Sequence, residues 1–404
     1  MLSVTEQLKN LFDEEFFASV WDKNYRYFPQ AIASSESFFS WVDLNQLVEF
    51  HVREYPRWAL AKNKKYIPLK EFGIQEKTGD QHFRVDFLKV REFLKDGATL
   101  VFNNAEISHP AIRQACQSLS SVFQEDVFVN AYASFGTEPG FGLHYDDMDT
   151  LILQITGRKH WSLYGRLKGT PPPRGQRSHF FKAPPQEKLL ELDLQAGDFL
   201  YLPAGYWHEV VALNEPSLHL TFSVFNRTGA DFLQGLITKV TSDESLLSAL
   251  PKNMDLKAQQ AFCHKLLMLL ESHVSPQGLD AFLRSHEKRP PFFAPLGLPY
   301  AVLKEPFVAD PLCETDRISF ICSSWSPWEE TPQQGDVTFF ALEKSWIFEK
   351  KYQSLVELLL DGAPSTIKEL MQKLPHLAPE EVTSFIATYV TQGLFARERS
   401  SACL

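Results

Sequence analysis

Ser217-Leu-His-Leu-Thr-Phe-Ser-Val-Phe225 alternates as far as Val224: Leu218, Leu220, Phe222 and Val224 are apolar, while Ser217, His219, Thr221 and Ser223 are polar. Successive side chains of a strand point to opposite faces, so this period of two predicts a strand with one core face and one polar face. Moving toward the N-terminus, further strands are expected at His208–Leu213 and, before the turn Pro203-Ala-Gly205, at Asp198–Leu202. Thr150–Ile155 and Lys159–Tyr164 flank a turn at Thr156-Gly-Arg158, and Val127–Tyr132 opens the series. Pro171-Pro-Pro-Arg-Gly175 and a polar run to Lys188 interrupt it as a loop. These strands predict an all-β unit over about 125–228.

Outside that unit the period changes. Ile112, Cys116, Leu119 and Phe123 share one face of a helix expected over Ser108–Phe123, and Leu8, Leu11, Phe12 and Phe16 mark shorter amphipathic pieces near the start. Helices are expected at about 230–241, 256–273 and 276–286, closed by the break Arg289–Pro295. Beyond it come short strands at Arg317–Ile321 and Asp336–Ala341. Two helices follow, one capped by Ser365 over Thr366–Leu374 and one with Pro379 at its first position, ending near Gly393. The expected organisation is therefore 1–228 with a core at about 95–228, a helical region at 229–295, and a small helix-turn-helix or winged-helix-like unit at 296–404.

The chain has 404 residues, of which 44% are hydrophobic and 13% aromatic, enough to fill a sizeable core and to exclude wholesale disorder. Forty Lys and Arg against 50 Asp and Glu leave a formal charge of −10, the wrong sign for gripping nucleic acid through the overall field. Within 353–399, Lys368, Lys373, Arg397 and Arg399 face six acidic residues, so packing or protein docking is expected there and no direct DNA binding. Arg166, Lys168, Arg174, Arg177 and Lys182 form a basic loop whose default reading is a solvated surface. Cys116, Cys263, Cys313, Cys322 and Cys403 are odd in number and never paired as C-x-x-C, which fits a reducing compartment rather than a disulfide framework. The first residues lack a basic and apolar leader, and no run of about 18 apolar residues occurs, so a soluble, cytoplasmic protein with no membrane partner is expected.

His144-Tyr-Asp146 places an imidazole and a carboxylate two residues apart, hence on the same side of an extended segment. A third ligand from another strand, for which His208 stands ready, completes two imidazoles and one carboxylate on one face of an octahedron. Three positions remain open, as suits a non-haem Fe(II). With 12 histidines and 50 acidic residues in 404, about one and a half H-x-D/E pairs arise by chance, so context decides. The pair follows Gly136, Gly140 and Gly142 at the start of the β-region, and no H-x-H occurs anywhere in the chain. His219 is conceivable as a fourth ligand, though a hydrogen-bonded core histidine is the commoner outcome. Asp147 and Asp149 read as supporting or loop carboxylates. Phe141, Tyr145 and Trp161 read as barrel filling, with Tyr206 and Trp207 at the mouth beside His208.

Three blocks, Gly142-Leu-His-Tyr-Asp-Asp-Met-Asp149, Leu151–Tyr164 and Gly197–His208, resemble the JmjC-type 2-oxoglutarate oxygenases of the cupin superfamily, and among these the ribosomal oxygenases. The motif match covers about 95–228, with a weaker likeness at Phe12–Gln30. The resemblance implies a mixed α and β protein: a double-stranded β-helix (jelly roll) core, a helical dimerisation region and a C-terminal winged-helix-like domain. It implies that His144, Asp146 and His208 hold Fe(II), and that Lys159 receives the distal carboxylate of 2-oxoglutarate. Alternation with Trp161 and Leu163 lets Lys159 point inward while His160 points away. Thr221, Asn130 and Tyr132 are further contacts expected for the cosubstrate, with structural strand roles as their plain alternative.

The implied reaction consumes 2-oxoglutarate and O2, releases succinate and CO2, and hydroxylates an unactivated carbon. The leading substrate is a side chain of a ribosomal protein. The alternatives are a peptide or small metabolite hydroxylase and a non-enzymatic cupin interaction protein; a histone demethylase lacks an accompanying reader or basic region. A homodimer through the helices at 230–286 is also implied, although their apolar residues serve an intramolecular core equally well.

Overall fold

The computed structural model describes residues 2–75, 83–166, 187–241, 255–284, 311–321, 328–330, 335–342, 344–360 and 364–400, with Pro172 and Gly175. The chain divides into two compact units, Met1–Asn226 and Arg227–Leu404. The first begins with helices α1 (Val4–Lys9) and α2 (Glu14–Ser19), strand β1 (Arg26–Phe28), and helices α3 (Ser35–Phe38) and α4 (Trp41–Phe50). Strands β2 (Trp58–Lys62), β3 (Lys65–Tyr66), β4 (Gly73–Gln75) and β5 (Phe83–Val85) lead to α5 (Phe87–Lys95), β6 (Thr99–Phe102) and α6 (Pro110–Phe123). The central strands are β7 (Val127–Ser134), β8 (Asp149–Thr156), β9 (Lys159–Arg166), β10 (Leu190–Leu194), β11 (Phe199–Leu202), β12 (Tyr206–Ala212) and β13 (Ser217–Val224).

These strands form an eight-stranded antiparallel sheet, ordered β1-β11-β8-β13-β7-β6-β2-β3, and a three-stranded antiparallel sheet, β10-β9-β12. Ile152, Leu200 and Leu202 of the first interlock with Trp161, Leu163 and Leu194 of the second in one buried cluster, so the inner faces look at each other, as a jelly roll requires. The outer face of the large sheet is covered by helices: Leu218, Leu220, Phe222 and Val224 join Phe12, Phe16, Ile112, Leu119 and Phe123 in the main core. The polar face of β13 is just as buried, with every residue from Ser217 to Val224 inaccessible, because it lines the space between the sheets. The β8–β9 turn depends on Gly157, whose φ is +66° and where a Cβ would lie 2.1 Å from the carbonyl oxygen of Pro216.

The strands expected from the alternation appear within a residue or two. β10 escaped that reading although Leu190-Glu-Leu-Asp-Leu194 alternates strictly, whereas β2 escaped it because Trp58–Ala61 is buried throughout and carries no alternation. In the second unit, α7 (Gly229–Val240), α8 (Leu256–Glu271) and α9 (Pro276–Arg284) occupy the expected helical positions, with Phe232 and Phe282 in ring contact at 5.3 Å. The expected boundary near 295 and most of the basic loop (Lys168, Arg174, Arg177, Lys182) lie outside the described residues.

The C-terminal part contains β14 (Arg317–Phe320), β15 (Glu329–Glu330), β16 (Asp336–Ala341), β17 (Lys344–Glu349), α10 (Gln353–Leu360), β18 (Ser365–Thr366), α11 (Ile367–Lys373), α12 (Pro379–Thr391) and β19 (Phe395–Glu398), around its own core. The cap of α11 is Thr366 and not Ser365. Thr366 is the residue with Glu369 three positions on, and the two exchange hydrogen bonds of 2.8 and 3.1 Å as a capping box.

Candidate metal centre and cation pocket

His144, Asp146 and His208 converge. One ligand atom from each lies within 4.8 Å of the others, the only such His/Cys/Asp/Glu group of three among the described residues. Two backbone features bring them together. His144 and His208 form an isolated antiparallel bridge, with the His144 N–H donating to the His208 carbonyl at 3.0 Å and the His208 N–H returning at 2.7 Å. The Pro203–Gly205 turn is stitched to the same segment, because the Gly205 N–H donates to the Asp146 carbonyl at 2.8 Å. Asp149 holds that turn as well, accepting from the Ala204 N–H at 2.8 Å and the Tyr201 hydroxyl at 2.7 Å. Its burial raises the carboxyl to about 6. Asp149 is thus the supporting carboxylate that the sequence suggested.

The donor chemistry fits a divalent cation. Nδ1 of His144 lies 2.7 Å from the Gly142 carbonyl and Nδ1 of His208 lies 2.9 Å from the Tyr206 carbonyl. A carbonyl can only accept, so both Nδ1 atoms carry hydrogen and both Nε2 atoms keep a lone pair. Those Nε2 atoms stand 4.0 and 3.8 Å from the two oxygens of Asp146. Burial, with His144 adjacent, lowers His208 to about 4, so it is neutral at physiological pH and able to ligate. Gly142 serves this arrangement through its φ of +63°, and the Lys64 stem from the β2–β3 turn occupies the space a side chain would need.

The triad opens onto a cavity of about 890 Å³, its open mouth included, between the two sheets. At the other end stands Lys159, 3% exposed, with Nζ 2.9 Å from Nδ1 of His219. Burial alone brings the Lys159 ammonium down to about 7, and no carboxylate contributes. His160 points outward to Asp193 at 2.7 Å, as the alternation required. Thr221 and Tyr132 line the same cavity, and Tyr132 stacks on the His219 ring at 4.9 Å. Asn130, two residues before Tyr132 on β7, does not line this cavity but a different opening. Its Oδ1 accepts from the Asn104 N–H at 3.1 Å.

His219 does not join the metal group; its Nδ1 is taken by Lys159. Phe141 and Trp161 line the cavity, whereas Tyr206 and Trp207 do not: the Tyr206 hydroxyl donates to the Lys23 carbonyl at 3.2 Å, and Trp207 alternates with His208 along β12. Trp207 packs instead on Tyr145 at 5.1 Å. Sequence reasoning missed Tyr66, Thr99, Ser134 and Glu138 in the lining. Thr99 and Ser134 are linked by a 2.9 Å hydroxyl pair across β6 and β7, a contact that no local pattern reveals.

Residues 103–232 match the model of the JmjC domain family. The chain is 32% identical over 151 residues to ribosomal oxygenase 1 of Gallus gallus, a match covering 37% of this chain and 25% of that protein. It is likewise 32% identical over 148 residues to the bifunctional lysine-specific demethylase and histidyl-hydroxylase NO66 of Dictyostelium discoideum, covering 36% and 29%. The matched region thus spans about a quarter of the length of these curated relatives. Among solved structures, the Escherichia coli ribosomal oxygenase YcfD shares the fold, with a TM-score of 0.53 at 16% identity over 96% of this chain and 98% of that one. YcfD is also known in complex with cobalt and 2-oxoglutarate.

Proposed function

From a chain that carries a JmjC domain at residues 103–232, we propose an Fe(II)- and 2-oxoglutarate-dependent protein hydroxylase, acting on a side chain of a ribosomal protein. The observation that carries this reading is a single cavity with a His-Asp-His donor set at one end and, at the other, a buried cation that no carboxylate among the described residues pairs with. His144, Asp146 and His208 would hold the metal, and three protein ligands would leave room for cosubstrate and O2. When bound, the iron supplies the oxygen chemistry that couples decarboxylation of 2-oxoglutarate to succinate and CO2 with insertion of one oxygen atom into a C–H bond.

The protein's own part is orientation and shielding. Lys159 binds the distal carboxylate by charge-assisted hydrogen bonds, with Thr221 and the Tyr132 hydroxyl as neutral partners. Trp161, stacked on His208 at 5.6 Å, and Phe141, 6.0 Å from His144, keep water from the ligand set. Purified protein given Fe(II), 2-oxoglutarate and oxygen should form succinate. Intact ribosomal proteins from cells lacking the gene should be lighter by one oxygen in one component, a difference restored by the enzyme. Succinate formation with no such difference moves the substrate to a peptide or metabolite. No succinate with any peptide leaves a cupin interaction protein.

The helical region is proposed to pair with a second copy of the chain. α8 buries none of its residues, and Leu233, Ile237, Leu267 and Met268 are about half exposed or more. Light scattering at twice the chain mass is the expected result. The C-terminal part is assigned a winged-helix-like docking role toward protein. A cytoplasmic location is supported by Cys116 and Cys263, which form no disulfide among the described residues; no helix among the described residues is long and apolar enough to cross a membrane.

A further inference from the structure

We infer that His219 is a positioning residue for the cosubstrate: its Nδ1 takes one hydrogen of the Lys159 ammonium and fixes that cation on the cavity wall. The inference rests on the 2-oxoglutarate reading above. In its charged form, the form that binds a carboxylate, Lys159 has three hydrogens and no acceptor, so in the 2.9 Å contact it donates and His219 accepts. The other ring nitrogen, Nε2, therefore carries the hydrogen, and the ring is neutral. Both groups are buried, and Lys159 together with burial holds His219 well below the ordinary histidine range, in agreement with that assignment.

The ring itself has little freedom. It lies parallel to Tyr132, 11° between planes, with the edge of Trp161 at 6.1 Å, and β13 is clamped between β7 and β8 at this residue, where His219 pairs with Tyr132 and Gln154. A four-carbon lysine stem otherwise carries considerable rotamer freedom, and an anchored one binds an anion without paying that entropy at the moment of binding. One donor goes to His219 and two remain for a carboxylate.

The choice of a neutral acceptor matters as much as the hydrogen bond. A carboxylate in the place of His219 would anchor Lys159 equally well, but it would cancel the charge and repel a dianion. The imidazole holds the ammonium and leaves its charge available.

The test titrates Mn(II)-loaded, oxygen-free protein with 2-oxoglutarate and with 2-oxopentanoate, which lacks the distal carboxylate. His219→Phe keeps an aromatic ring between Tyr132 and Trp161 but removes the acceptor. It should weaken 2-oxoglutarate binding by about tenfold, the scale of one charge-assisted hydrogen bond, and leave 2-oxopentanoate unchanged. His219→Asn, whose amide oxygen can take the place of Nδ1, should stay within about threefold of the wild type, since the charge-assisted bond is kept. His219→Asp should lose the preference for 2-oxoglutarate. If His219→Phe does not fold, the isosteric Asn and Asp pair decides. Wild-type affinity in His219→Phe, or equal affinities in Asn and Asp, overturns the role of His219. A wild type that fails to prefer 2-oxoglutarate over 2-oxopentanoate overturns the cosubstrate reading instead.

Discussion

His208 and His219 face the same cavity from opposite sheets, both buried, yet their Nδ1 atoms do opposite things. At the metal end, Nδ1 of His208 donates to the Tyr206 carbonyl and Nε2 is left as a lone pair beside Asp146. At the cation end, Nδ1 of His219 accepts from Lys159, and Nε2 carries the hydrogen. The same side chain is thus set up to ligate in one place and to anchor in the other. What decides is the partner of one nitrogen: a carbonyl, which can only accept, or an ammonium, which can only donate.

Removing His208 should have the largest effect and should fall on one end only. His208→Ala is expected to abolish specific metal binding, a loss beyond the roughly 10- to 100-fold that changing an outer partner of a metal ligand brings. Metal content after dialysis measures it, and a variant that still retains one metal per chain would break the division between the two ends. Lys159→Ala should do the converse, weakening 2-oxoglutarate by roughly 10- to 100-fold, the loss of a buried charge-assisted contact, while metal content stays at the wild-type level. Unchanged cosubstrate affinity in that variant would show that the cation end is misassigned.

The cation end should also announce itself through protons. Lys159 sits at about 7 in the free cavity, against 10.5 for an ordinary lysine, and a dianion beside it raises that value again. At pH 8, binding of 2-oxoglutarate should therefore take up close to one proton, and at pH 6, where Lys159 is already charged, almost none. Calorimetry in buffers of different ionisation enthalpy reads this difference, and Lys159→Met should erase it. The same depression has a sign for stability. Between about 7 and 10.5 the unfolded chain binds the proton that folded Lys159 refuses, so this group's contribution to stability is least favourable below 7 and recovers as pH rises through that window.

The smallest expected effect sharpens the comparison because it should touch both ends. Trp161 stacks on His208 and presents its edge to His219. Trp161→Phe should weaken metal and cosubstrate together by less than about tenfold, in line with about 0.5–1.5 kcal/mol for an aromatic pair. An effect confined to one ligand would mean that the ring serves only that end.

Much of this is legible in the order of the residues alone. The alternation in Ser217–Val224 names both faces of β13, and the turn around Gly157 fixes which way Lys159 points relative to His160, because a period of two leaves no freedom once the register is set. The His144-Tyr-Asp146 spacing and His208 name the donor set. Less legible are β2, uniformly apolar, and the cap of α11, where two adjacent hydroxyl residues compete and only the reach of Glu369 chooses between them.

The sequence by itself determined which faces of which strands are polar, and hence which residues could meet inside the barrel. Only the tertiary structure decided what each of them does there. The polar face of a strand is ordinarily a wet face, and a second sheet had to close over it before Thr221 and His219 became cavity walls. Nor does any local pattern state that His144 and His208, 64 residues apart, share a backbone bridge, or that the nitrogen of His219 meets the ammonium of Lys159. Those contacts join segments distant along the chain, and the tautomer of each imidazole, on which its chemistry depends, is fixed only when the partner arrives.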